Sequence, residues 1–219
     1  MKSTTLTVGS LMISTLLIQS QAIIRGIDLY PEVQDFTCLK KAGYDFAITR
    51  AWRSIGVFDQ VSLVNLKAAK STGMDKVDVY LFPCRGMSAA DQVDQLIGNL
   101  TGTDYGTIWL DIETNPTQRC SWDNYTGDEN CAYVGELVEA VQANDKPVGI
   151  YASHYMWMQI FHDYNTCQQF KDLPLWYAHY DGKETFSDFV SFGGWTTPNI
   201  KQHTGLANVC DTVVDLNFY

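Results

Sequence analysis

Four carboxylates stand where they could act on one another. Asp111 and Glu113 lie in the run Thr107-Ile108-Trp109-Leu110-Asp111-Ile112-Glu113. The two-residue period of a strand turns both side chains to one face, with Cα atoms about 6.6 Å apart. Asp28 lies in an early run, Gly26-Ile27-Asp28-Leu29-Tyr30, and Asp215 in the last, Val213-Val214-Asp215-Leu216-Asn217. Like charges crowded together raise at least one pKa. One carboxyl group then keeps its proton beside another that stays ionised. Cleaving a glycosidic bond requires that asymmetry: an acid for the leaving oxygen and an anion for the positive charge at the anomeric carbon. A single acid at a strand end reads equally well as a helix cap or a solvated group. Four in matching positions do not, and the apolar neighbours Ile108, Leu110 and Ile112 mark a buried strand in which an inward carboxylate is costly.

For these acids to meet, the chain must bring distant strands into one sheet. β-branched and aromatic runs predict strands at 26–30, 46–50, 77–82, 107–113, 148–152, 173–179, 200–204 and 213–218. Apolar residues at three- and four-residue spacing predict helices at 61–71, 88–100 and 132–143, which suits helices lying on a mostly parallel sheet. Eight strands imply an α/β fold made of a single modified (β/α) barrel with some helices short or missing. The C-terminal ends of its strands would line the active face. From 180 to 199 the turn residues Gly193-Gly194 and Pro198 stand out, and no element is assigned.

The chain has 219 residues, 46% hydrophobic and 18% charged, which suits one sizeable core and one domain. The opening 1–22 carries a lone early Lys2, a short apolar stretch broken by Ser and Thr, and small residues at Ser20 and Ala22. This is the pattern of a secretory signal peptide, leaving a catalytic domain at 23–219. Its removal takes away one Lys and no acid, moving the formal charge from −10 to about −11. Such a charge with no basic run excludes nucleic acid as a partner and disfavours stable association with anionic membranes. Cys38, Cys84, Cys120, Cys131, Cys167 and Cys210 include no CxxC pair. In an oxidising compartment they imply three structural disulfides, with Cys120 and Cys131 as the expected local pair. The tripeptides Asn99-Leu100-Thr101 and Asn124-Tyr125-Thr126 fit a eukaryotic secretory route. His154, His162, His179 and His203 have no metal-ligand spacing, and no phosphate-cradling or Gly-x-Ser-x-Gly motif occurs. Neither a metal nor a cofactor is expected.

Gly26-Ile27-Asp28, Tyr80, Trp109-Leu110-Asp111-Ile112-Glu113, Ile150-Tyr151-Ala152-Ser153, Leu175-Trp176-Tyr177-Ala178-His179-Tyr180, Gln202 and Val214-Asp215-Leu216-Asn217 together resemble the glycoside hydrolase family 25 muramidases, in that family's order. The six cysteines and the secretory start resemble its animal or protist branch. The resemblance implies a barrel that cleaves the β-1,4 bond between N-acetylmuramic acid and N-acetylglucosamine in bacterial peptidoglycan. By the same resemblance Glu113 is the general acid and Asp111 orients the substrate's N-acetyl group, whose oxygen attacks the anomeric carbon with retention. Asp28 and Asp215 would set pKa values and hold the sugar. From the residues alone a carboxylate nucleophile or an inverting water stays open. Tyr80, Tyr151, Trp176 and Tyr177 are the candidate flat faces for pyranose rings, with Gln202 and Arg50 as polar partners. The chain departs from the family where Leu29-Tyr30-Pro31 follows Asp28, and where Arg50 and Arg53 stand near a position at which many relatives carry Lys. Two alternatives are a silent carbohydrate-binding or signalling protein on the same barrel and a chitinase-like glycosidase. The family 18 pattern needs further Asp and Gly residues where Gly106, Thr107 and Trp109 stand. The expected setting is a monomer, secreted or in the lumen of an acidic digestive or lysosomal compartment.

Overall fold

The computed structural model describes residues 23–219, so the expected leader at 1–22 lies outside the described residues. In chain order the elements are β1 (Arg25–Leu29), α1 (Phe36–Lys41), β2 (Phe46–Arg53), β3 (Val57–Phe58), α2 (Val61–Ser71), β4 (Lys76–Leu81), α3 (Ala89–Asn99) and β5 (Ile108–Asp111). There follow α4 (Gly127–Ala143), β6 (Val148–Ala152), α5 (His154–Phe161), β7 (Leu175–Ala178), β8 (Ile200–Val209) and β9 (Thr212–Phe218). Eight of the strands close a barrel in the order β1-β9-β8-β7-β6-β5-β4-β2, completed by parallel pairing of β1 with β2. The two-residue β3 is an addition to the edge of β2. All barrel pairings are parallel except the two made by β9. That exception is local in origin. Cys210 and Asp211 both adopt positive φ between the paired residues Val209 and Thr212, which turns the chain straight back as a hairpin and leaves no crossover helix.

Helix boundaries follow their caps. Asp35 accepts from Cys38 N at 3.0 Å to start α1, and Ser88 opens α3 in the same way. A capping box between Thr126 and Glu129 starts α4 at Gly127, five residues before the expected 132. The pattern at 61–71 matches α2. The aromatic helix α5 and the short α1 were not expected, and no helix separates β7 from β8.

Strand alternation divides the apolar residues into two shells. Inside the barrel, Phe46, Ile48, Trp109, Tyr151, Trp176 and Ile200 form one cluster. Outside it, residues such as Ile27, Leu29, Val79, Leu110 and Ile150 pack against the helices. Glycines make room for the inner rings: a methyl group at Gly26 would run into Phe46, and one at Gly149 into Trp109. The inner shell also holds Asp78, which is wholly buried. It accepts from Thr107 N and Trp109 Nε1, both at 2.9 Å, with Lys76 Nζ 3.3 Å away.

Three disulfides fix the connections, as Cys38–Cys210, Cys84–Cys120 and Cys131–Cys167. The expected local pair Cys120–Cys131 is therefore corrected. Cys120 lies in a short 3-10 turn after β5 against the loop that follows β4, where Arg85 N donates to its carbonyl at 3.2 Å. Cys131 lies in α4 and faces the turn before β7. Nearness in sequence loses to the side-by-side placement of βα loops.

Candidate active site

The C-terminal ends of the strands converge on a cleft of about 240 Å³. Asp28 enters from β1, Arg50 from β2, Tyr80 from β4, Asp111 from β5, Tyr151 from β6, Trp176 from β7, Gln202 from β8 and Asp215 from β9, and all line it. Glu113 lines it too, although β5 ends at Asp111 rather than reaching the expected 113. Ile112 N still bonds Tyr151 O at 2.8 Å, which carries the strand's alternation two residues further. The four acids foreseen from their spacing thus meet in one place.

Their environments differ. Asp28 accepts on Oδ1 from Gln202 Nε2 and from Asn217 Nδ2, both at 2.8 Å. Asp215 accepts from Leu206 N at 2.6 Å on Oδ1 and from Gln202 Nε2 at 3.1 Å on Oδ2. Asp111 is 5% exposed, and among the described residues its buried Oδ1 has no hydrogen-bond partner. Burial and then the charge of Asp215 push Asp28 up to about 8. Burial and Asp215 likewise raise Glu113 to about 7. Burial, Glu113 and Asp28 hold Asp111 well above the carboxylate range, and burial raises Asp215. A carboxyl group that holds its proton near neutrality, beside others sharing the same field, is equipped for acid catalysis.

Arg50 supplies positive charge at the rim. Its Nε donates to Asp59 Oδ2 at 2.8 Å, and its guanidinium lies 4.9 Å from the centre of the Tyr30 ring. Arg53 is exposed beyond it. Trp176 packs within 4.4 Å of Tyr151 and 5.8 Å of Trp109, ring centre to ring centre, with its Nε1 on Asn217. Tyr177, its neighbour on β7, points the other way, as alternation requires. Its hydroxyl donates to Asp188, so it lines a second hollow and not the acid cleft. That hollow, of about 490 Å³, adjoins the cleft and shares Glu113, Tyr151 and Tyr180 with it. Its far wall comes from the stretch between β7 and β8 that sequence left unassigned, including Asp188, Val190 and Phe192.

This wall is held by charge. Lys201, 0% exposed, points out of the barrel and meets Asp181 at 2.8 Å and Asp188 at 2.9 Å. Burial works against the charge of Asp188, yet hydrogen bonds from Lys201, His179 and Tyr177 keep it below the usual carboxylate range. His179, Asp181 and Asp188 bring ligand-type atoms within 4.8 Å of one another, a grouping that histidine spacing did not announce. The ammonium of Lys201 already supplies the cation there.

Two residues of the hydrogen-bond network around the acids are not among the expected site residues: Tyr180, which lines the cleft, and Asn217, which is wholly buried. Tyr180 donates to Gln202 Oε1 at 2.9 Å, but it lies past the end of β7 where no periodicity applies. Asn217 sits two residues after Asp215 on the same strand, so alternation alone places it beside the acids.

A closed barrel that gathers a proton-holding acid and its charged neighbours at the C-terminal ends of its strands has the architecture of a glycoside hydrolase. Comparison with known proteins narrows this. The profile of the Lys-1 family, described as lysozyme-like protein 1, matches residues 19–203. A probable family 25 lysozyme, lysozyme 2 of Dictyostelium discoideum, is 40% identical over 201 residues, covering 90% of this chain and 91% of that protein. Lysozyme-like protein 5 of Caenorhabditis elegans is 36% identical over 202 residues, covering 88% and 90%. The bacterial lysozyme of Streptomyces coelicolor shares the fold with a TM-score of 0.73 at 20% identity, over 90% of this chain and 92% of that one. The chain belongs to the glycoside hydrolase family 25 lysozymes.

Proposed function

We propose that the chain hydrolyses the β-1,4 bond between N-acetylmuramic acid and N-acetylglucosamine in bacterial peptidoglycan, with Glu113 as proton donor. One observation carries the assignment of roles: Glu113 lines both hollows, while Asp28, Asp111 and Asp215 line only the smaller one. A general acid must stand between the sugar that develops positive charge and the sugar that leaves. The acid cleft therefore takes the former and the wider hollow the latter.

In this reading Glu113 gives its proton to the glycosidic oxygen, and the C1–O bond breaks with its electron pair going to that oxygen. The carboxyl group of Asp111, which lines the cleft, accepts the N–H of the substrate's acetamido group. The acetamido carbonyl oxygen then bonds C1 from the opposite face. Water, deprotonated by Glu113, opens the resulting ring and returns the original configuration. The aromatic surfaces of Tyr80, Tyr151 and Trp176 pack on the sugar's C–H faces. The three disulfides and the pattern at 1–22 support secretion.

The test is release of reducing ends from purified bacterial walls and, separately, from chitin, by the wild type and by Glu113→Gln. Wall-specific release that falls by about 10²–10⁴-fold in the variant is expected. Release from chitin alone, or unchanged activity in the variant, would overturn the proposal.

A further inference from the structure

Gln202 is the cleft residue whose hydrogen-bonding capacity is wholly used inside the protein. It is 2% exposed. Nε2 spends its two hydrogens on Asp28 Oδ1 at 2.8 Å and Asp215 Oδ2 at 3.1 Å. Oε1 spends its two lone pairs on the hydroxyls of Tyr151 at 2.6 Å and Tyr180 at 2.9 Å. Turning the amide over would set its oxygen against two carboxylates, so the four partners fix its orientation. With both ends occupied, the side chain has no free group for a sugar.

We propose that Gln202 is a positioning residue that holds Asp28 and Asp215 together as an unlike pair, one protonated and one charged, so that the anion keeps the proton on Glu113. Two carboxyl groups bonded to one amide nitrogen are forced into proximity, and ionising both is costly. The geometry assigns the charge. Asp215 accepts on both oxygens, one bond coming from the backbone N–H of Leu206, and it is only partly buried. Asp28 is nearly closed off from water and takes both of its amide bonds on Oδ1. Asp215 is therefore the anion and Asp28 the acid.

The remaining groups facing the pair do not replace that anion. Arg50 on β2 is paired with Asp59, and Tyr80, Tyr151 and Tyr180 are neutral hydroxyls. Asp111 sits in a setting that favours its neutral form. After burial, the charge of Asp215 is the strongest influence raising both Asp28 and Glu113.

The inference rests on Glu113 as proton donor for its effect on rate, but its test does not need turnover. Carboxyl carbons of Asp and Glu are labelled with ¹³C, and the free enzyme is titrated as wild type and as Gln202→Met. Loss of the amide should raise the midpoint of Asp215 and lower that of Glu113 by about one pH unit, because a neutral Asp215 no longer holds the Glu113 proton. On bacterial walls the pH profile of kcat/KM should narrow from both sides. If Gln202→Met fails to fold, Gln202→Leu, which removes the same N–H donors with a shorter apolar side chain, should shift the same two midpoints in the same directions. Unmoved midpoints for Asp215 and Glu113 in a folded variant would overturn the proposal. A wild type without wall activity would instead refute the lysozyme reading and leave the titration interpretable.

Discussion

Asp78 and Asp111 point into the same barrel, yet only one is chemically idle. Asp78 receives two N–H donors and lies beside an ammonium, so burial leaves its oxygens satisfied. Asp111 lines the cleft yet keeps one buried oxygen with no partner among the described residues, which costs stability in the free protein. Their amides should therefore behave oppositely. Asp78→Asn sets an NH₂ group against existing donors and should cost about 1–3 kcal/mol in denaturant unfolding, with kcat per folded molecule unchanged. Asp111→Asn should unfold no more easily than the wild type, while kcat falls by about 10²–10³-fold. A fully active Asp111→Asn would remove that residue from the mechanism.

At the scale of elements, the wall of the larger hollow has no regular structure of its own and depends on β8 for its place. Lys201→Met leaves Asp181 and Asp188 without their buried cation and should cost about 3–5 kcal/mol in chemical unfolding. Proteolysis should then nick between 181 and 195 first, and resistance there equal to that of the wild type would show that the ion cluster does not hold the wall. The same segment marks where sequence stopped being informative. Strands were visible because alternation is a local property, and one period placed Asp111 and Glu113 on a common face and Asp28 and Asp215 at matching depth. Lys201 pairs with residues 13 and 20 positions earlier through a turn that has no period, and the pairing Cys84–Cys120 depends on which βα loops lie side by side. The role of Gln202 was equally hidden, since its four partners come from four parts of the chain.

For the molecule as a whole, the cleft and the surface pull stability in opposite directions with pH. Asp28, Asp111, Glu113 and Asp215 have raised pKa values, so the folded state binds more protons than the unfolded one between the ordinary carboxylate range and about 8. Their contribution is full at low pH and is lost as pH rises through about 7 to 8. Asp181, Glu184 and Asp188 have lowered values, and their contribution is lost as pH falls below the ordinary carboxylate range. Thermal unfolding should therefore show a maximum at about pH 4–6 and decline by pH 8. Asp28→Asn, which cannot ionise, should raise Tm at pH 8 more than at pH 5, at about 2–4 °C per kcal/mol gained. Equal effects at both pH values would mean that Asp28 is not carrying the proton ascribed to it.

All of this depends on Glu113 holding a proton when the cleft is empty. The most direct measurement is the ¹³C titration of its side-chain carboxyl carbon in the free wild-type enzyme, assigned by its loss in Glu113→Gln. A midpoint near 7 is predicted, displaced upward by burial and by the charge of Asp215. A midpoint at the ordinary 4.5 would contradict the account, because the residue would then enter the reaction as an anion with no proton to give.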